Sequence, residues 1–279
     1  MGTNPSGGQA MGYSGPLGHP DASVVVRHRR GPRTVVFLHG FSFDGRMWEP
    51  VIDRLPADLG VVAVDLPGFG RSPVPSRAVP MHDALVGALD ALGLGPVDLV
   101  GHSYGGQAAV DAALAAPERV SSLTLTGSGL TGFPTPQLWR SHMAAILAAA
   151  RAGDLDTALD RWWSHPNFGP PGSRLRRILV SCSNAYTGWH WVDSTPSPVL
   201  APATERLGEV RAPTAVLVGR ADTDQARQMA EALAAGIPDS RLVVLPGGHV
   251  LPVEHPDLFT AELQRQLDAS DPATRQEIR

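Results

Sequence analysis

The sequence predicts an α/β fold, a mostly parallel sheet with helices on both faces. Three observations predict it. Seven short, largely β-branched apolar runs recur along the chain, and all but the first close at or near a turn residue. Continuous runs of this kind suit strands buried on both sides of a parallel sheet. Between most of them lie segments whose apolar residues fall at helical spacing, so that β and α alternate. The chain has 279 residues, of which 43% are hydrophobic and 18% charged. A chain of this size removes roughly 70–75% of its extended surface from water on folding, enough for a large core without disulfide or metal staples.

Taken in order, residues 1–20 are rich in Gly, Pro and Ser and read as a flexible tail; they lack the apolar stretch of a secretory signal. Strand candidates follow at Val24-Val25-Val26, at residues 34–38 before His39-Gly40, and at residues 61–64 before Asp65. Met81, Leu85, Leu89 and Leu92 recur one turn apart, and Gly93 stops that helix. A strand at 97–100 runs into Gly101, and residues 105–116, mostly Ala and Gly, form a helix able to approach a sheet closely. Strands at 123–125, 214–218 and 242–245 and helices at 225–235 and 257–268 complete the pattern. One interval breaks the alternation. Residues 129–196 contain no good strand, show helical patterns at 136–152 and 155–163, and hold five of the six tryptophans. They read as a helical cap inserted into a core made of residues 21–128 and 197–279.

Composition excludes several chemistries. All 23 basic residues are arginine, so a lysine Schiff base, a phosphate-binding P-loop lysine and a Ser–Lys dyad are impossible. Cys182 is the one cysteine, which rules out an intramolecular disulfide and a thiolate zinc site, and its surroundings read as structural. A net charge of −4 implies no face for a nucleic acid backbone. No stretch of 18 apolar residues indicates a membrane span, and the cytoplasm is the default location. Among the histidines, no pair has metal-ligand spacing, and His28, His82 and His142 read as surface or packing residues.

Gly101-His102-Ser103-Tyr104-Gly105 matches G-x-S-x-G between a strand and a small-residue helix. That context is a nucleophile elbow, where a sharp turn strains the serine and flanking glycines avoid backbone clashes. A serine hydroxyl needs a base, and the base an orienting acid. Asp222 follows the 214–218 strand and His249 follows the 242–245 strand. Both lie beyond strand C-termini, where open α/β sheets place their sites, and in the order Ser, acid, His. Ser103, Asp222 and His249 are therefore the expected triad. The expected oxyanion donors are the main-chain N–H groups of Tyr104, at the helix start, and Phe41, in the loop after the 34–38 strand.

The segments FLHGFSFDGRMWEPVIDRL (37–55), AVDLPGFGRS (63–72), LVGHSYGG (99–106), VLVGRADTD (216–224) and PGGHVLPVEHPDLF (246–259) together resemble the α/β-hydrolase superfamily, in its small capped esterase and lactonase branch. The resemblance spans residues 23–268 and is least specific in 129–196. It implies an eight-stranded sheet, this triad and oxyanion hole, and no cofactor. Two departures stand out. Similar proteins often carry Gly or Pro where this chain has Ser42, and a proline shortly after the acid, where Asp222-Thr223-Asp224 has none, so Asp224 is the alternative acid. Ser103 argues against dehalogenase and epoxide hydrolase chemistry, which uses aspartate at the elbow. His102 stands where carbon–carbon hydrolases usually show asparagine and cofactor-free haloperoxidases phenylalanine.

The expectation is a serine hydrolase of small apolar or aromatic esters or lactones, a monomer or homodimer with no nucleic acid or membrane partner. Pocket walls are expected from Ser42, Trp139, Trp162, Trp163, His190, Trp191 and Val250. Alternatives on the same triad are carbon–carbon cleavage, thioester hydrolysis or a biosynthetic cyclisation, and, apart from these, a non-catalytic binding protein of the fold.

Overall fold

The structure, a computed structural model, describes residues 11–193 and 201–271. Its strands are β1 (Gly12–Leu17), β2 (Val24–Arg29), β3 (Thr34–Leu38), β4 (Gly60–Asp65), β5 (Val97–His102), β6 (Val120–Thr126), β7 (Thr214–Gly219) and β8 (Ser240–Leu245). They form one eight-stranded sheet in the order β1-β2-β4-β3-β5-β6-β7-β8. β2 is antiparallel to both its neighbours, and every pair from β4 to β8 is parallel. Every residue of β4, β5 and β7 is buried, so both faces of the sheet centre are covered. This is why those strands are continuous apolar runs rather than alternating ones.

The helices are α1 (Glu49–Ile52), α2 (Met81–Ala91), α3 (Tyr104–Ala115), α4 (Gln137–Arg151), α5 (Leu155–Trp163), α6 (Arg174–Ser181), α7 (Trp189–Val192), α8 (Asp224–Gly236), α9 (Leu251–Glu254) and α10 (Pro256–Ser270). α3 packs on β5 and β6, α8 on β7 and β8, and α10 on β6 and β7. Trp48, the tryptophan outside the 129–196 interval, is buried between Phe37 of β3 (5.1 Å between ring centres) and Phe259 of α10 (5.7 Å). A polar stitch crosses the opposite end of the sheet from the nucleophile. Arg33 grips the buried Asp98 through two hydrogen bonds (2.6 and 2.9 Å), Ser122 of β6 donates to the same carboxylate (2.6 Å), and Arg33 also reaches the Leu267 carbonyl in α10 (2.7 Å).

The tail reading of residues 1–20 is corrected in part. Gly12–Leu17 is an edge strand, paired antiparallel with β2, and Ser14 Oγ and His28 Nε2 lie 2.8 Å apart across that pair. β1 is mostly exposed, so it needs no apolar run and shows none. Its pairing comes from the backbone ladder and from Arg71, whose guanidinium stacks 3.9 Å from the Tyr13 ring centre. Residues 1–10 lie outside the described residues, as do residues 194–200, where the expected cap boundary at 196 falls. β8 is the opposite edge, and its Leu242 and Val244 are exposed on one face, unlike the inner strands. Between β6 and β7 the described residues hold α4, α5, α6 and α7 and no strand. The short helices α6 and α7 were not legible from periodicity.

Candidate active site

β5 and α3 meet at Ser103, whose backbone has φ 51° and ψ −111°. A non-glycine residue at positive φ is strained, at a cost of about 1–3 kcal/mol, and persists only where its surroundings fix it. They do so here. The Ser103 N–H donates to the Thr126 carbonyl (3.0 Å), and its own carbonyl accepts from Gln107 (3.0 Å) and Gly129 (2.9 Å). Any side chain on the flanking glycines would collide. A Cβ on Gly101 would lie 2.6 Å from the Gly105 carbonyl oxygen, and one on Gly105 would lie 2.3 Å from that of Leu38.

Asp222 and His249 come together as the loop spacing anticipates. His249 Nδ1 lies 3.0 and 3.1 Å from the two oxygens of Asp222, whose side chain is fully buried. The carboxylate also accepts from the Thr223 N–H (2.7 Å). Burial alone would lower the His249 pKa, but the charge of Asp222 and its hydrogen bond outweigh burial and raise it above the ordinary imidazole value. Burial would conversely raise Asp222, yet the His249 charge, that hydrogen bond and the Thr223 N–H hold it below the ordinary carboxylate range. Asp222 is thus ionised and keeps the imidazole proton on Nδ1, leaving Nε2 as the acceptor. Asp224 is highly exposed and ion-paired with Arg227, so it does not take the place beside His249.

The His249 loop is clamped by Glu254 and by His102 of the elbow motif. Glu254 accepts from the N–H groups on either side of His249, those of Gly248 (2.8 Å) and Val250 (2.9 Å). His102, fully buried, has Nε2 3.1 Å from the His249 carbonyl, to which that nitrogen donates. Burial, with the charge of His249 next, pushes the His102 pKa down to about 3, so it is a neutral structural group. The only sequence signal for Glu254 is its place five residues after His249; it is the last residue of the short helix α9.

The loop after β3 is fixed in the same way. His39 Nε2 accepts from the Leu66 N–H (2.9 Å) and its Nδ1 lies 2.8 Å from the Gly40 carbonyl, while Asp65 accepts from the Gly45 N–H (2.8 Å). This brings Phe41 against the elbow, with its ring centre 5.9 Å from that of Tyr104. As the first residue of α3, Tyr104 has an N–H with no partner inside the helix.

Ser103 and His249 share a cavity of about 810 Å³ with Phe41, Tyr104, Trp139 and Trp162. Ser42, Trp163, His190, Trp191 and Val250 do not line it, which corrects five pocket expectations. Ser42 sits at φ 68°, is 1% exposed, and spends its hydroxyl accepting the Trp162 indole N–H (2.9 Å). Trp191 and Val250 are buried. His190 stacks on Phe69 (4.4 Å) and Trp163 packs on Phe168 (5.1 Å). Conversely, His142, read as a surface or packing residue, lines the cavity together with His165, Phe43, Gln107 and Met229. Nothing in the local sequence marks these, because they converge only through the packing of the helices. Cys182 is buried and its thiol is pushed up to about 11, mainly by burial, which keeps it protonated. Among the described residues no group of three or more His, Cys, Asp or Glu is placed to hold a metal ion, and no helix is long and apolar enough to cross a membrane.

Three comparisons bear on this geometry. A pimeloyl-[acyl-carrier protein] methyl ester esterase of Aliivibrio salmonicida is 27% identical over 245 residues, covering 85% of this chain and 93% of that protein. A 2-hydroxy-6-oxononadienedioate/2-hydroxy-6-oxononatrienedioate hydrolase of Pseudomonas putida is 30% identical over 248 residues, 82% of this chain and 85% of that protein. The crystal structure of an esterase from Rhodococcus sp. ECU1013 superposes with a TM-score of 0.77 at 23% identity, over 94% of this chain and all of that one. The profile of the Alpha/beta hydrolase family matches residues 35–262, and with that span of the sequence and this fold the chain belongs to the alpha/beta hydrolase family.

Proposed function

We propose that the protein is a serine hydrolase of small carboxylic esters or lactones that works through an acyl-enzyme on Ser103. The observation that carries this reading is His249, paired behind with the buried Asp222, lining the same cavity as a strained elbow serine. In this reading His249 Nε2 takes the Ser103 proton as Oγ attacks the carbonyl carbon. The N–H groups of Phe41 and Tyr104 receive the developing oxyanion, and Asp222 stabilises the imidazolium. The proton on Nε2 then passes to the leaving alkoxide. A water, deprotonated by the same nitrogen, attacks the acyl carbon and restores Ser103.

Helix α4, Trp162 of α5 and the segments 129–136 and 164–168 line the cavity, and their interval serves as the cap that shapes the substrate space. The aromatic lining supports an apolar acyl or alcohol group. The decisive test is hydrolysis of p-nitrophenyl esters by the wild type and by Ser103→Ala. Turnover is expected to fall by roughly 10⁴–10⁶-fold in the variant, and fluorophosphonate labelling to be lost with it; an unchanged rate overturns the reading. The similarity to the Pseudomonas putida hydrolase supports a second reading, carbon–carbon cleavage on the same triad. Labelling of Ser103 without turnover of any ester in the panel would favour it.

A further inference from the structure

The part of the cavity lined by the interval between β6 and β7 is mostly aromatic and aliphatic, with two imidazoles, His142 and His165, set into it. His165 follows α5 and caps the short helical turn Pro166–Phe168, its Nδ1 accepting the Asn167 N–H at 3.3 Å. That bond fixes the tautomer: in the neutral ring the proton must sit on Nε2. The ring has little freedom. It stands edge-on to Trp139 at 5.0 Å and 89°, with His142 at 5.3 Å and Phe168 at 6.3 Å. Burial, and then the charges of His142 and His249, push its pKa down to about 4, so the ring is neutral near pH 7. It lines the same cavity as Ser103 and His249.

We propose that His165 is a specificity-determining residue, whose Nε2–H selects esters that carry a second, neutral oxygen acceptor, a ketone or ester carbonyl, on the group lodged against Trp139. This deepens the hydrolase reading above and rests on it. The physical reason is asymmetry. A hydrocarbon chain filling this part of the cavity displaces water from the N–H and leaves the donor unpaired, whereas a carbonyl oxygen there replaces the lost hydrogen bond. A neutral, donor-only nitrogen suits a neutral acceptor.

The test compares p-nitrophenyl octanoate with its 6-oxo and 7-oxo analogues, which exchange one methylene for a carbonyl. The wild type is expected to prefer one oxo ester by roughly three- to tenfold in kcat/KM, the effect of one neutral hydrogen bond, expressed in KM. H165F should bring that ratio to about one, and H165Q, which keeps an N–H donor, should restore part of it. A ring that only props up the wall would change both esters alike and leave the ratio intact. The proposal is overturned if neither oxo ester is preferred by the wild type, or if H165F keeps the preference. Binding of the same esters to the Ser103→Ala protein, followed by tryptophan fluorescence, gives the ratio without turnover. Should the wild type hydrolyse none of them, that binding ratio still decides the role of His165, and the missing turnover counts against the hydrolase reading alone.

Discussion

The sheet and the helical interval between β6 and β7 are built on different principles. The sheet is held by backbone ladders and packed with Val, Leu and Ala, and a carboxylate such as Asp98, buried at a strand start, is fully engaged by Arg33 and Ser122. The helical interval is held by rings. Trp162 alone touches Phe41, Trp139, Phe168 and Trp191, and its indole N–H ends on Ser42. Trp189 reaches down to the Gly68 carbonyl (2.9 Å) in the loop after β4, where glycine at φ 78° leaves the room the indole needs. The sheet therefore fixes the positions of the proposed triad, and the aromatic helices shape the space above it with side chains that a substitution can repack.

That contrast can be broken or sharpened by mutation, with the largest effects expected in the sheet loops. Asp222→Asn should lower kcat by roughly 10⁴-fold, because it removes the charge that orients and stabilises the protonated His249. It should also move the acidic limb of the pH–rate profile. His249 acts as a base only when neutral, and its pKa is raised, so wild-type kcat/KM should fall as pH drops through a value above the ordinary imidazole 6.5. In the variant that limb should shift to lower pH; a limb that stays in place would argue that Asp222 does not set it.

Asp98→Ala should cost about 3 kcal/mol, since it removes the buried carboxylate that pairs with Arg33 and leaves the Ser122 hydroxyl without its acceptor, and lower Tm by roughly 6–12 °C with little change in kcat. Calorimetry and kinetics on one preparation would separate the two. In the helical interval, Trp162→Phe should lose only about 1–2 kcal/mol, keeping most of the packing but removing the donor to Ser42, and its larger effect should appear in KM. Leu138, exposed and on the cavity rim, should tolerate Ser within about 0.5 kcal/mol of stability. A loss of stability in the Leu138→Ser variant as large as that in Asp98→Ala would erase the distinction between the two regions.

The same distinction explains what was legible. The inner strands could be read because burial on two faces forces continuous apolar runs, β2 and β8 because each still carries a short β-branched apolar stretch, and β1 could not, because an exposed edge strand needs none. Ser103, Asp222 and His249 could be named from strand ends and chain order. Trp163 and Trp191 were misplaced on the cavity wall because composition tells how many rings the interval has and not which way each one turns.

What the sequence by itself determined is the alternation of strand and helix, the strand ends that carry Ser103, Asp222 and His249, the residues proposed to react, and the chemistries that a chain without lysine and with one cysteine cannot perform. Tertiary structure alone decided that Asp222 rather than Asp224 meets His249, that Glu254 and His102 hold its loop, and that His165 rather than His190 faces the cavity. Periodicity and backbone hydrogen bonding act within a few residues and leave a local trace in the text of the chain. Contacts such as that between Ser42 and Trp162, 120 residues apart, leave none until the helices dock.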